Sequence, residues 1–221
     1  MNKHTSIRAV IFDMDGVLVD SEKFINDAAI AMFKEKGLVV QPEDFLPFVG
    51  AGEARYIGGV AEHYDFSLDV PAAKQRTYEI YLALIPSQLK PFPGVLQLLH
   101  RCREAGLLIA VASSADLIKV RANLETIEVQ IEFWDAVVTG EDVTNKKPAP
   151  DIFLSAAAKL GVDPRECVVV EDAVNGVQAA NAAGMRCVAV ATSFAEDRLQ
   201  EAGVVRTAIA DVTLDDLAPH L

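Results

Sequence analysis

At 221 residues, 51% hydrophobic and 24% charged, the chain can bury a sizeable core, as one α/β domain with an insertion or as two small domains. A net charge of −12 argues against a nucleic-acid groove, which needs clustered Lys and Arg, and against binding to anionic membranes. Any anionic ligand would have to meet cations gathered locally, or a metal. Cys102, Cys167 and Cys187 are an odd set without CxxC spacing, which predicts core thiols in a reducing compartment rather than a disulfide or a zinc site. No apolar run reaches membrane-spanning length and the N-terminus carries no long apolar stretch, so a soluble, cytoplasmic monomer is expected.

Ile7 to Phe12 is a short apolar run rich in β-branched residues, the pattern of a strand buried on both faces of a parallel sheet. It runs directly into Asp13, Asp15 and Gly16. Asp20 and Ser21 then offer a helix cap, followed by Phe24, Ile25, Ala28, Ala29, Met32 and Phe33 at helical spacing, with Gly37 as the stop. Residues 42 to 85 give further helical patterns without a clear alternating strand. This stretch interrupts an otherwise regular β-α alternation, so residues 19–88 are expected to form a helical cap inserted into a core of residues 1–18 and 89–221.

Alternation resumes at Pro91, with Pro93 expected in the first turn of a helix running to Gly106. Leu107 to Ala112 is a second strand, ending at Ser113 and Ser114, and a helix is expected from about Asp116. Ala136 to Val138 is a third strand, and Lys146-Lys147-Pro148-Ala149-Pro150 leads into a helix ending near Leu160. Val168 to Val170 is a fourth strand, ending at Glu171 and Asp172, with a small-residue helix at Gly176 to Ala183. Cys187 to Val190 is a fifth strand and a short sixth is expected near Thr207 to Ala210. Strands separated by helices predict right-handed crossovers and a Rossmann-like, doubly wound parallel sheet.

Ligands of such sheets bind beyond the C-terminal ends of the strands. There the sequence places Asp13 and Asp15 after strand one, Ser113 after strand two, Lys147 after strand three, and Glu171 and Asp172 after strand four. Each has an ordinary reading by itself: a turn after a strand, a helix cap, a loop charge, or a charge pair at a helix start. Together they set carboxylates, a hydroxyl and an ammonium around one small volume. The acids repel one another unless a cation sits among them, and an all-oxygen set points to Mg²⁺. Val17 and Leu18 occupy positions where a calcium loop needs an oxygen ligand and a glycine, which excludes that reading. Mg²⁺ with a lysine opposite suits phosphoryl transfer. Asp13 is placed to attack phosphorus, Asp15 to give and take a proton, Ser113 and Lys147 to bind the phosphoryl oxygens, and Asp172 with Glu171 to complete the metal site.

These residues resemble the motifs of the haloacid dehalogenase superfamily: Asp13-Met14-Asp15-Gly16-Val17, Ser113, Lys147 in Lys-Pro-Ala-Pro-Asp, and Glu171-Asp172. The resemblance implies a Rossmann-like core, a helical cap, Mg²⁺ held by Asp13, Asp15, Asp172 and Glu171, and an aspartyl-phosphate formed on Asp13 from a small phosphorylated metabolite. The second acid, Asp15, favours phosphoryl transfer over dehalogenation. Within the superfamily the chain is similar to the β-phosphoglucomutase-like group. It departs from that group at Ile25, where mutases carry a histidine, and at Glu53, where they carry an arginine. The resemblance makes Gly50, Glu53 and Arg55 of the cap loop, with Ser114, candidate substrate contacts. Residues 45–62 are also similar to the phosphatase-like domain of the plant suppressor-of-quenching protein, which makes the chloroplast stroma an alternative location. A phosphatase is expected, with a phosphomutase or a regulatory module as alternatives.

Overall fold

The computed structural model describes residues 6–86 and 88–218. Residues 1–5, Ser87 and residues 219–221 lie outside the described part, and with them one residue of the expected cap and both ends of the expected core.

Six strands form one parallel sheet in the order β3-β2-β1-β4-β5-β6. They are β1 (Ala9–Phe12), β2 (Leu108–Ala112), β3 (Ala136–Val138), β4 (Cys167–Glu171), β5 (Arg186–Val190) and β6 (Val204–Arg206). β1 lies between β2 and β4, so Ile11 is level with Ala110 on one side and Val169 on the other. Alternation along the strands sorts side chains to the two faces. Val10, Phe12, Ile109, Val111, Val168 and Val170 meet α4 (Val95–Glu104) and α5 (Leu117–Thr126). The opposite face carries small residues, Ala9, Ala110, Ala112 and Ala189, against Ala156 and Ala157 of α6 (Asp151–Leu160) and Ala179 and Ala180 of α7 (Val174–Ala182). Covering both faces explains why the strands read as continuous apolar runs. The last element among the described residues is a short helix, α8 (Leu214–Leu217).

Between β1 and α4 come three helices, α1 (Glu22–Glu35), α2 (Glu53–His63) and α3 (Val70–Leu84), with a 3-10 segment at Pro42–Phe48. Met32, Phe33, Phe45, Tyr56, Ile57 and Val60 form an apolar cluster of their own there. The helical segment and the sheet domain meet along α1 and α3, whose Ile25, Ala28, Tyr78 and Tyr81 join the α4–α5 side of the core. The chain leaves and returns at adjacent points: Val19 bridges Pro91, and the Phe92 N–H donates to the Leu18 carbonyl at 3.0 Å.

Several boundaries differ from the sequence reading. The sixth strand lies at Val204–Arg206, pairing with Val188–Val190, rather than at Thr207–Ala210, where a 3-10 turn begins at Ile209. The edge strand is only half-buried, so its hydrophobic pattern is weak. α4 begins at Val95, two residues beyond Pro93, because Gly94 precedes it with φ +93° and a Cβ there would meet the Ala210 Cα at 2.6 Å. Ser21 precedes α1 without capping it, since its hydroxyl is directed to Asp15 instead.

Ile11 is fully buried on the central strand. Ile11→Ala should lower unfolding free energy in urea by about 2–5 kcal/mol through a cavity that close packing cannot refill. Leu46→Ala, at a site 67% exposed, should change it by less than about 0.5 kcal/mol. Equal losses would contradict this placement of the core.

Candidate active site

Three strands deliver the polar residues. Asp13 follows β1 directly, and its N–H still bonds the Val170 carbonyl at 2.9 Å, so its backbone is fixed as part of the sheet. Ser113 follows β2 in the same way, bonding the Val138 carbonyl at 3.0 Å. Glu171 ends β4, and Asp172 is the next residue. Glu171 Oε2 accepts from the N–H groups of Asp172 and Ala173, both at 2.7 Å, which turns its other oxygen toward β1. α7 allows this only because residue 176 is glycine: a Cβ there would lie 1.9 Å from Glu171 Oε1.

Lys147 reaches in from the loop before α6. Its ammonium bonds Asp13 Oδ1 at 2.5 Å and also Glu171 Oε1, and all three groups are buried. Burial alone would lower the lysine pKa, but the two carboxylates outweigh it and hold Lys147 charged. One ammonium does not balance the acids. Oxygens of Asp13, Glu171 and Asp172 all lie within 4.8 Å of one another. Burial, together with repulsion from Glu171 and Asp15, pushes Asp13 up to about 7 despite Lys147. Burial and the charges of Glu171 and Asp13 also push Asp172 well above the carboxylate range. Excess negative charge among hard oxygen donors fits a divalent cation such as Mg²⁺. Gly16 leaves the space in front of Asp172: its φ is +83°, and a Cβ would sit 1.9 Å from Asp172 Oδ2.

Asp15 is turned away from that cluster and, although expected among the metal ligands, its carboxylate is not grouped with them. The Ser21 hydroxyl and the Lys119 ammonium, at 2.9 Å, hold its Oδ1, while the Ser113 hydroxyl lies 3.4 Å from Oδ2. Burial would raise its pKa, but Lys119 and Ser21 together lower it. Ser113 in turn accepts from the Ala115 N–H at 3.1 Å.

These groups open onto a cleft between the strand ends and the helical segment, walled by Glu22, Ile25, Phe48, Tyr56, Lys119 and Asn175. Gly50, Glu53 and Ser114 also line it. Arg55 does not: it pairs with Glu62 at 2.6 Å and stacks over the Phe48 ring, on an exposed face. Helical geometry accounts for this, since Arg55 and Glu53 are two residues apart on α2 and point in different directions. Glu53 is 8% exposed and pairs with Lys119 at 3.3 Å, so it does not stand as a free anion facing the ligand. The sequence reading missed Lys119 and Glu22. Glu22, in the first turn of α1, is pushed up to about 7 by burial and by the charges of Asp15 and Glu53, against the opposing pull of Lys119.

The family model for haloacid dehalogenase-like hydrolases matches residues 7–184. The chain belongs to that family. Its fold is shared with a crystal structure of CbbY from Rhodobacter sphaeroides in complex with phosphate. That likeness has a TM-score of 0.88 at 27% identity, covering 96% of this chain and 99% of that one. Hexitol phosphatase B of Escherichia coli K12 is 31% identical over 98% of this hydrolase and 99% of its own length. Protein suppressor of quenching 1, chloroplastic, of Arabidopsis thaliana is 48% identical over 96% of this chain, which spans a fifth of that protein's length. No helix among the described residues is long and apolar enough to cross a membrane.

The acid cluster makes the metal-free hydrolase pH-sensitive. Asp13 has a higher pKa folded than unfolded, so between about 4 and about 7 the native state retains a proton that the unfolded chain releases. Stability in EDTA should therefore fall as pH rises through that window, and Asp13→Asn should flatten the slope. At pH 7, Mg²⁺ at 100 times its Kd should add back about 2.7 kcal/mol. Asp172→Ala should lose most of that gain in urea melts. A rising slope in EDTA, or an undiminished gain in Asp172→Ala, would contradict the assignment of the cluster.

Proposed function

We propose that the protein is a Mg²⁺-dependent phosphatase that hydrolyses a small phosphorylated metabolite through an aspartyl-phosphate on Asp13. The observation that carries this reading is the position of Asp13. It stands at the end of the central strand, against Lys147 and the acid cluster, while Asp15 is held two residues away by a separate set of partners.

Asp13 attacks phosphorus and the ester oxygen departs, leaving an acyl phosphate on the carboxylate. Lys147 keeps the attacking carboxylate aimed and offsets charge on the phosphoryl oxygens. Ser113 is close enough to Asp15 to bond a phosphoryl oxygen beside it. Asp15 gives a proton to the leaving oxygen and, in the second half, takes one from the water that attacks the acyl phosphate. Each turnover thereby restores the proton that the next leaving group needs. Asp13 and Asp172 would hold Mg²⁺, with Glu171 behind them, and the ion would neutralise the phosphoryl group as charge shifts onto it. The helical segment, residues 19–88, serves as a cap over the strand ends, opening about the paired crossings at Val19 and Pro91 to admit substrate and closing to exclude water.

Hydrolysis is favoured over mutase chemistry by the lining of the cleft. A mutase must bind a second phosphate opposite the first. Here Lys119 is already neutralised by Asp15 and Glu53, Arg55 points elsewhere, and Ile25 offers no hydrogen bond. The relative named hexitol phosphatase B and the phosphate complex of CbbY support a small phosphorylated substrate. The relative named as chloroplastic supports a plastid setting as the alternative to the cytoplasm.

Asp13→Asn should keep its fold, judged by circular dichroism, yet lose essentially all turnover of p-nitrophenyl phosphate with Mg²⁺. Wild-type rates in that variant would remove the covalent mechanism. On β-glucose 1-phosphate with a trace of the 1,6-bisphosphate, NMR should show inorganic phosphate forming faster than glucose 6-phosphate. The reverse order would restore the mutase.

A further inference from the structure

Lys119 is not used by the chemistry described above, yet it is among the most enclosed charges in the cleft, with a side chain only 3% exposed. It sits in the first turn of α5 and touches both halves of the molecule. Its ammonium lies 2.9 Å from Asp15 Oδ1 at the end of β1, and 3.3 Å from Glu53 Oε1 at the start of α2. The Tyr81 ring of α3 lies 5.7 Å away. The remaining oxygen of Glu53, Oε2, is buried without a hydrogen-bond partner. Lys119 is thus the contact that accounts for a buried carboxylate on α2. Further contacts between the same elements run alongside: Lys74 pairs with Asp116 at 2.5 Å, and the Tyr81 hydroxyl bonds Asn123 at 2.5 Å.

A lysine side chain has several rotatable bonds, and an ammonium is a point charge without a preferred direction of its own. What fixes its position here is bracing from both sides. If α2 moved off the sheet domain, Glu53 would leave with it, and Lys119 would lose its partner on that side while Asp15 and the Tyr81 ring remained. The carboxyl of Asp15 would then keep the Ser21 hydroxyl, but the ammonium at its Oδ1 would no longer be held in place by Glu53.

We propose that Lys119 is a positioning residue: braced by Glu53, it fixes the Asp15 carboxyl for proton transfer and so couples the hydrolytic step to the packing of α2 against the sheet domain. This rests on the phosphatase reading and on Asp15 as the group that activates water. It assigns Glu53 a task that differs from contacting substrate. The pair supplies geometry, and a proton-transfer group displaced by as little as 1 Å can lose about 10²-fold in rate.

The test uses the full chain with p-nitrophenyl phosphate and Mg²⁺, quenched in acid to trap phosphorylated protein. The nitrophenolate leaves without needing a proton, so attack by Asp13 proceeds whether or not Asp15 is aligned. Breakdown of the acyl phosphate does need Asp15. Lys119→Met should therefore lower kcat by about 10²-fold and Glu53→Gln by about 10-fold. In both variants KM should fall along with kcat, and the phosphorylated fraction at saturation should exceed that of the wild type. The double variant should be no slower than Lys119→Met alone, because the two residues act as one unit. Should Lys119→Met fail to fold, Glu53→Gln carries the same readout. Loss of kcat without added phosphoenzyme, a raised KM, multiplied losses in the double variant, or unchanged kcat would each overturn the role of Lys119. Undiminished turnover in Asp13→Asn would instead remove the phosphatase reading itself.

Discussion

The Lys147 ammonium, held between Asp13 and Glu171 below the surface, is the contact on which the site depends. Three acids lie close together at the ends of β1 and β4, and burial makes their mutual repulsion costly. A single cation relieves part of it and ties the two strands to the loop before α6. Breaking a buried pair of this kind by removing one partner costs about 3–5 kcal/mol. The negative charge left over after Lys147 suits the site to a divalent ion. The backbone accommodates this cluster by leaving side chains out. Gly16 makes room before Asp172, and Gly176 lets α7 approach Glu171.

A second ammonium performs a different task a short distance away. In the proposed mechanism Lys147 serves the carboxylate that attacks, whereas Lys119 serves the carboxylate that moves protons. The separation has a chemical consequence. Two neighbouring aspartates on one loop acquire opposite tendencies, Asp13 pushed up by burial and Asp15 lowered by Lys119 and Ser21. The helical segment enters this arrangement through Glu53, which pairs with Lys119, while the Asp13–Lys147 pair belongs to the sheet domain.

Much of this was legible in the sequence because strands buried on both faces announce themselves. Ile7 to Phe12 and Val168 to Val170 are apolar runs that end in acids, and the order of the strands brings those ends together. Lys147 was legible from its place after the third strand. Lys119 was not, because a lysine in the first turn of an ordinary surface helix carries no local signal. Its partners come from residues about 100 and 66 positions away, and only the packed structure joins them. The same packing changes the meaning of Glu53, an anion facing a ligand in the sequence and one half of a buried pair in the fold. Arg55 shows the converse, a cation whose helical phase carries it out of the cleft. The shift of the last strand to Val204–Arg206 reflects an edge position, where half-burial leaves little pattern to read.

In the proposed reaction the phosphoryl group passes through the carboxylate of Asp13. Rapid mixing of the protein with Mg²⁺ and a phosphate monoester, quenching in acid and mapping the peptides by mass spectrometry tests it directly. One phosphoryl group should be found on the peptide that contains Asp13, appearing within a single turnover and disappearing as inorganic phosphate forms. Full turnover with that peptide unmodified at every time point, and a phosphoryl group on another residue or on none, would contradict it.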